Sequence, residues 1–188
     1  MNFRFLLPLP GLGLLALIWL FPLERMVPVF AAHMLRHMTL VALAAPLVVV
    51  GLPSATAALR VSPLFGTMAE LVVVWSWHLP AAHEFGRLTS IGFVAEQTSF
   101  LVVGLLVWTG CLRSDRPLAG AAGLLVTSMH MTLLGALLIL APRDLYGTSP
   151  DLAGQRIGGM LMLGIGTPVY LIAGLAFVSL VLRERASA

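Results

Sequence analysis

Two histidines stand four residues apart in the segment Ala32-His33-Met34-Leu35-Arg36-His37-Met38. In a helix, residues at this spacing lie on one face about one turn apart, so both imidazoles can approach one metal ion or one haem edge. Met34 and Met38 repeat the spacing on an adjoining face. The segment lies in an apolar run that ends at Val50. Polar side chains inside such a run are unfavourable unless they have partners, which makes a functional role the first hypothesis.

Three other segments bring polar side chains to the same half of the predicted bundle. They are Trp77-His78-Leu79-Pro80, Glu96-Gln97 and Met129-His130-Met131. Imidazole binds copper, zinc and iron, and thioether sulfur adds a preference for cuprous copper. The candidate Cu(I) ligands are therefore His33, His37, His78, His130, Met34, Met38 and Met131. Haem is the less favoured alternative, with His37 and His130 as axial ligands from two helices.

Structural roles stay open for these residues. His33 and His37 can instead hydrogen-bond between helices, which contributes about 0.6 kcal/mol per interaction in membrane proteins. The methionines can serve as packing residues. His78 is either a ligand or an interfacial residue exposed to water.

The neighbouring charged residues have simpler expected roles. His83 is expected to be solvated on a loop. Arg36 is expected either to extend its guanidinium to the membrane interface or to pair with Glu96. Glu70 is expected to lie apart from the other polar groups, toward the inside.

The composition is that of an integral membrane protein. Of the 188 residues, 59% are hydrophobic and 10% are charged, and the mean hydropathy is +0.99. A soluble domain has about 25% charged residues. A helical span needs about 20 apolar residues. The sequence therefore predicts an all-α, polytopic membrane bundle of about six helices in a single domain, at residues 5–22, 30–50, 65–79, 91–112, 118–141 and 157–182.

The charges indicate an orientation. All basic residues are arginine, and the formal net charge is +3. The arginines are dispersed over the loops instead of forming one basic face, which argues against nucleic-acid binding and leaves the lipid bilayer as the surrounding medium. A slight excess of arginine on the side that holds both termini places them in the cytoplasm. The single cysteine, Cys111, is expected to be a packing residue.

Several motifs resemble those of one family. They are His33-Met34-Leu35-Arg36-His37-Met38 with Ala45-Pro46, Trp77-His78-Leu79-Pro80, Met129 to Ala136, Pro142 with Leu145-Tyr146, and Gln155 with Gly158-Gly159. In order and spacing this series resembles the CtaG-like assembly factors of cytochrome c oxidase, and the chain looks like a short, divergent member. The resemblance implies a bacterial cytoplasmic-membrane protein that acts on oxidase subunits or another respiratory complex by supplying copper. It also implicates His33, His37 and His78, and more weakly His130.

The resemblance leaves a second function open. Gln97 stands where histidine is expected, and Gly154-Gln155-Arg156 replaces an Asp-Gln-Gln type sequence. A relative that has lost ligands can be a non-catalytic accessory subunit, bound permanently to a haem-copper oxidase. The sequence contains no serine-histidine-acid arrangement, phosphate-binding glycine loop or carboxylate pair, so an enzyme is not expected.

Overall fold

The computed structural model describes residues 8–148 and 152–186, in which all regular structure is helical and no strand occurs. Two π-helical segments interrupt otherwise continuous helices: Thr39–Ala44 joins α2 to α3, and Met162–Gly166 joins α8 to α9. The α-helices are α1 (Pro8–Leu20), α2 (Val29–Met38), α3 (Ala45–Gly51), α4 (Pro63–Trp77), α5 (Pro80–Leu88), α6 (Ser90–Leu112), α7 (Pro117–Leu140), α8 (Ala153–Leu161) and α9 (Thr167–Ala186).

Within the described residues, four helical stretches are long and apolar enough to cross a membrane. They are Val29–Gly51, Ser90–Leu112, Pro117–Leu140 and Ala153–Arg183. Helices α1 and α4 are shorter, with 13 and 15 residues, and the first residues of the predicted span 5–22 lie outside the described part of the chain. The predicted fold class, an all-α membrane bundle, is confirmed.

Proline accounts for both π-helical segments. Pro46 and Pro168 each follow a π-helical segment after one intervening residue. Proline has no amide hydrogen and cannot bond to the carbonyl four residues earlier, which here is Ala42 or Gly164 inside the π-helical turn. Such turns leave backbone carbonyls free for side-chain donors and occur often at functional sites. The carbonyl of Val41 is used in this way, because Trp108 Nε1 donates to it at 2.8 Å.

The helices pack through close contacts at small residues. Helix α7 packs against α4, α8 and α9, while α6 packs against α4 and α2 packs against α8. At the α7–α8 contact, a Cβ atom added to Gly159 would lie only 2.7 Å from the carbonyl oxygen of Gly135. Small residues let helix backbones approach in membranes, where no hydrophobic force drives them together.

Helix α5 corrects one expectation of the sequence. His83 was expected to be solvated on a loop, but Pro80 begins a helix that folds back against α6 and buries His83 at 3% exposure. Proline is favoured at the first position of a helix because its fixed φ suits the turn. The helix turns His83 and Gly86 inward, so His83 joins the interior of the bundle.

Candidate metal centre

Four imidazole rings meet at one end of the bundle. The ring centroid of His33 lies 4.6 Å from that of His83 and 6.1 Å from that of His78. His37, one turn further along the same helix, lies 5.4 Å from His78. The rings come from α2, from the end of α4 and from α5. The tertiary structure thus brings three of the predicted ligands together and adds His83.

A three-residue set within this cluster brings together ligand atoms that could hold a metal ion. His33, His83 and Glu96 each offer one ligand atom, and these atoms lie within 4.8 Å of one another. His33 Nδ1 is 3.5 Å from Glu96 Oε2. Three ligand atoms around one ion with zinc-like bonds of about 2.0–2.2 Å lie about 3.3–3.8 Å apart in a tetrahedral or trigonal arrangement, so the widest pair must close by up to about 1.5 Å.

Orphaned polar atoms indicate that this set fits a bound ion. His33 Nε2, His83 Nε2 and Glu96 Oε1 are buried and have no hydrogen-bond partner among the described residues. Buried polar atoms are nearly always satisfied, so three together require an explanation. Burial also lowers the pKa of His83 to about 4. The ring is therefore neutral at physiological pH, which is the form that binds metal.

Aromatic packing holds this set in place. The ring of Phe30 stacks on His33 at 5.9 Å and on Tyr146 at 4.5 Å, and it lies 5.3 Å from His83. Phe30 can take this position because Gly158 of α8 has no side chain: a Cβ atom there would lie 2.5 Å from the Phe30 ring. Packing between α2 and α8 thus sets the position of two candidate ligands.

A backbone contact of one ring nitrogen of His78 determines that the other nitrogen is free to bind a metal. Its Nδ1 lies 2.6 Å from the Val74 carbonyl, whereas its Nε2 has no partner within the described residues. A carbonyl oxygen only accepts, so Nδ1 carries the hydrogen and Nε2 presents a lone pair. This arrangement orients histidine ligands in many metal sites. His37 stacks on Phe100 at 4.0 Å, and neither of its ring nitrogens has a partner in the described chain.

Gln97 acts on the cluster through its neighbour. Its side-chain amide donates to Glu96 Oε2 at 3.4 Å and accepts from Trp19 Nε1 at 3.4 Å. The substitution of glutamine for the expected histidine therefore removes a possible ligand but leaves a residue that orients Glu96. Glu96 itself also packs against α5, where a Cβ atom on Gly86 would lie 3.2 Å from its Oε1.

The other predicted ligands lie deeper or elsewhere. His130 of α7 is buried at 6% exposure. Met34 packs against α8, with its Cγ 2.8 Å from the position of a Cβ on Gly158. Met38 and Met131 are fully buried and meet beside Gly166. The contacts described for these methionines are packing contacts with α8 and with the π-helical segment that follows it.

Two charged residues differ from their expected positions. Arg36 pairs with Glu24, not with Glu96: both terminal guanidinium nitrogens donate to the Glu24 carboxylate, and Nε donates to the Ile18 carbonyl at 3.3 Å. This hydrogen bonding lowers the pKa of Glu24. Glu70 does not lie apart from the histidines, because its Oε2 is 4.0 Å from His130 Nε2.

Sequence reasoning missed His83 and did not assign Glu96 as a ligand. The signal for His83 was present: Pro80 can begin a helix, and residues 83 and 86 then share a face that packs inward. The sequence indicates that Glu96 is a polar residue in an apolar helix. It does not indicate its partner, because His33 lies 63 positions earlier.

The family of the chain follows from comparison with known proteins. The family model described as cytochrome c oxidase caa3 assembly factor (Caa3_CtaG) matches residues 3–184. No curated protein and no solved structure gives a significant match. The match extends over almost the whole sequence. The chain therefore belongs to the caa3 cytochrome c oxidase assembly factor family.

Proposed function

We propose that this assembly factor holds copper transiently and passes it to a subunit of cytochrome c oxidase at the extracytoplasmic face of the bacterial cytoplasmic membrane. The observation that carries the proposal is the set formed by His33, His83 and Glu96, whose ligand atoms lie within 4.8 Å of one another. The copper ion is cargo in this scheme. The reaction is ligand exchange and needs no bond-making catalysis.

The donor set suits copper that must leave again. Imidazole binds both copper oxidation states, and a single carboxylate balances the charge of a cuprous ion in a site of low polarity. The set contains no thiolate. The single cysteine of the chain, Cys111, is buried near the opposite end of α6 from Glu96, where it lies against Gly123 of α7. A closed structural zinc site has four ligands, most often with cysteine. Three ligands with neighbouring rings favour exchange over permanent storage.

His78 and His37 supply the next positions for the ion. His33 contacts the His78 ring, and His78 contacts the His37 ring, so the free nitrogens follow one another into the bundle. An ion can then move by replacing one imidazole with the next. Each step exchanges similar ligands, which keeps the free-energy differences between positions small.

Copper binding by purified protein tests this proposal. The protein in mild detergent is loaded with Cu(I) under anaerobic conditions, and metal per chain is measured for the wild type and for the double variant His33→Ala, His83→Ala. Arg87→Ala, on the exposed side of α5, is the matched control. Lower copper retention in the double variant alone supports the proposal. Unchanged copper retention in the double variant overturns it.

The proteins that co-purify with this chain distinguish an assembly factor from an accessory subunit. An assembly factor is expected at less than one copy per oxidase, and its deletion leaves oxidase that lacks copper. An accessory subunit would co-purify at a fixed ratio, and the complex would survive the His33, His83 double substitution. That second result would replace copper delivery with a structural role.

A further inference from the structure

A carboxyl group lies deep in the bundle without a complete set of partners. Glu70, near the middle of α4, has 0% exposure. Its Oε1 lies 2.6 Å from the Tyr170 hydroxyl, but its Oε2 has no hydrogen-bond partner in the described part of the chain. Ionisable groups inside the membrane region are rare and mark ion pathways or binding sites. A half-satisfied carboxyl therefore points to a missing partner.

His130 of α7 faces that free oxygen. His130 Nε2 lies 4.0 Å from Glu70 Oε2. This distance is too long for a hydrogen bond, which spans about 2.7–3.2 Å between nitrogen and oxygen. It equals the sum of two zinc-like metal–ligand bonds of about 2.0 Å each. The gap thus admits one metal ion bound linearly between the two atoms, whereas a bent arrangement with a further ligand would need the two side chains to approach.

Further polar atoms surround the gap. Both ring nitrogens of His130 are without a partner among the described residues, as is the hydroxyl of Thr127, one turn earlier on α7. Glu70 and His130 together leave three buried polar atoms without a partner among the described residues. An ion between α4 and α7 would satisfy several of them at once.

Hydrogen bonds and a stacked ring pair hold the carboxyl in this position. Tyr170 of α9 can donate its hydroxyl hydrogen to Glu70 Oε1 at 2.6 Å or to the Val41 carbonyl at 3.0 Å. The Tyr170 ring stacks on Trp108 at 5.1 Å, and Trp108 Nε1 donates to the same carbonyl. Val41 lies in the π-helical segment Thr39–Ala44. The proline-dependent π turn therefore supplies the acceptor that orients the group beside Glu70.

His37 connects this position with the outer cluster. It contacts the His78 ring, and Met38 and Met131, which follow His37 and His130 in sequence, meet beside Gly166. The order of groups from the outer end inward is therefore His33 with His83, then His78, His37, His130 and Glu70.

We infer that Glu70 and His130 form a second metal position, in the interior of the bundle, that accepts the same copper ion from the outer cluster. The carboxylate supplies the negative charge that a cation needs in a site away from water. This inference rests on the proposed function for the identity of the ion. It adds a separate site with its own ligands from α4 and α7.

The test is a titration of the full chain in detergent with Cu(I) against a coloured Cu(I) chelator. The wild type should hold two ions. Glu70→Gln keeps the size of the side chain and its contact with Tyr170, and it should hold one, as should His130→Ala. Met129→Leu is the matched control, since Met129 adjoins His130 in sequence but is 70% exposed. It should still hold two.

The outcomes separate the two proposals. If the His33, His83 double variant retains one ion and its combination with Glu70→Gln retains none, both sites exist. If the wild type holds one ion and Glu70→Gln holds the same, the inner position is refuted while the outer one stands. If the His33, His83 double variant holds as much copper as the wild type, the proposed function itself fails. Thermal unfolding of each variant shows whether a lost ion reflects a lost fold.

Discussion

Replacing Gly158 with alanine should weaken copper binding without touching a ligand. The added Cβ atom would lie 2.5 Å from Phe30 Cδ1 and 2.8 Å from Met34 Cγ. Carbon atoms in contact lie about 3.5–4.0 Å apart, so the Phe30 ring must move by about 1 Å. The ring cannot do so freely, because Tyr146 stacks on it at 4.5 Å and His33 at 5.9 Å. The displacement is therefore passed to His33 and His83.

Two effects of Gly158→Ala can be estimated: the loss of stability caused by overpacking, and the loss of metal affinity caused by displaced ligands. Overpacking a buried contact reduces the free energy of unfolding by about 1–3 kcal/mol. Functional groups must be held within about 0.5 Å of their working positions, and the loss of a supporting contact weakens metal binding about 10–100-fold. Gly158→Ala should thus show both lower stability and weaker Cu(I) affinity in the outer cluster.

The assay compares Gly158→Ala with Gly164→Ala in the same detergent. Gly164 lies in the π-helical segment that continues from α8, and nothing in the described chain lies within 4 Å of a Cβ atom added there. Chelator competition gives the Cu(I) affinity, and thermal unfolding gives the stability. Equal affinities for the two variants would refute the claim that α8 positions the ligands through Phe30.

Three further substitutions test the packing and polar contacts of the bundle. Glu24→Gln should lower the free energy of unfolding at neutral pH by about 1 kcal/mol, discounted for the exposure of the carboxylate. Because Arg36 lowers the pKa of Glu24, this stabilisation is present above the ordinary glutamate pKa and is lost as the pH falls through the lower folded value. Unfolding curves of wild type and variant should then converge in acid, and a constant gap would contradict the ion pair. Tyr170→Phe removes a buried hydrogen bond and should cost about 1–2 kcal/mol in denaturant unfolding; an unchanged midpoint would show that the hydroxyl does not order the carboxyl. Gly66→Ala places a Cβ atom 2.8 Å from a carbonyl oxygen of α6 and should destabilise by about 1–3 kcal/mol, whereas Gly13→Ala, which meets nothing within 4 Å in the described chain, should not. Equal thermal stability of these two glycine variants would contradict the α4–α6 contact.

The partner of Arg36 cannot be identified from the local sequence pattern alone. A guanidinium in an apolar helix must reach water or an acidic side chain. From the sequence, Arg36 could extend to the membrane–water interface or pair with Glu96. Glu24 became the partner because the short turn after α1 brings it back beside α2, within reach of both terminal nitrogens. Arg36 therefore pairs with the acid that is near in sequence, Glu24, and not with Glu96, which is 60 residues away.

The sequence by itself determined that this is an all-α membrane protein and to which family it belongs. It did so because hydropathy and motif order are properties of the chain alone. It also placed His33 and His37 on one helical face, which follows from a spacing of four residues.

Only the tertiary structure decided which polar groups meet. His33 lies close to Glu96, and His130 lies close to Glu70, although the helices that carry them are distant in sequence. These meetings depend on the rotation of each helix about its axis, which is set by close contacts at residues such as Gly158 and by the π turns before Pro46 and Pro168. Side-chain shape at those contacts acts in three dimensions, so no periodicity along the chain encodes it.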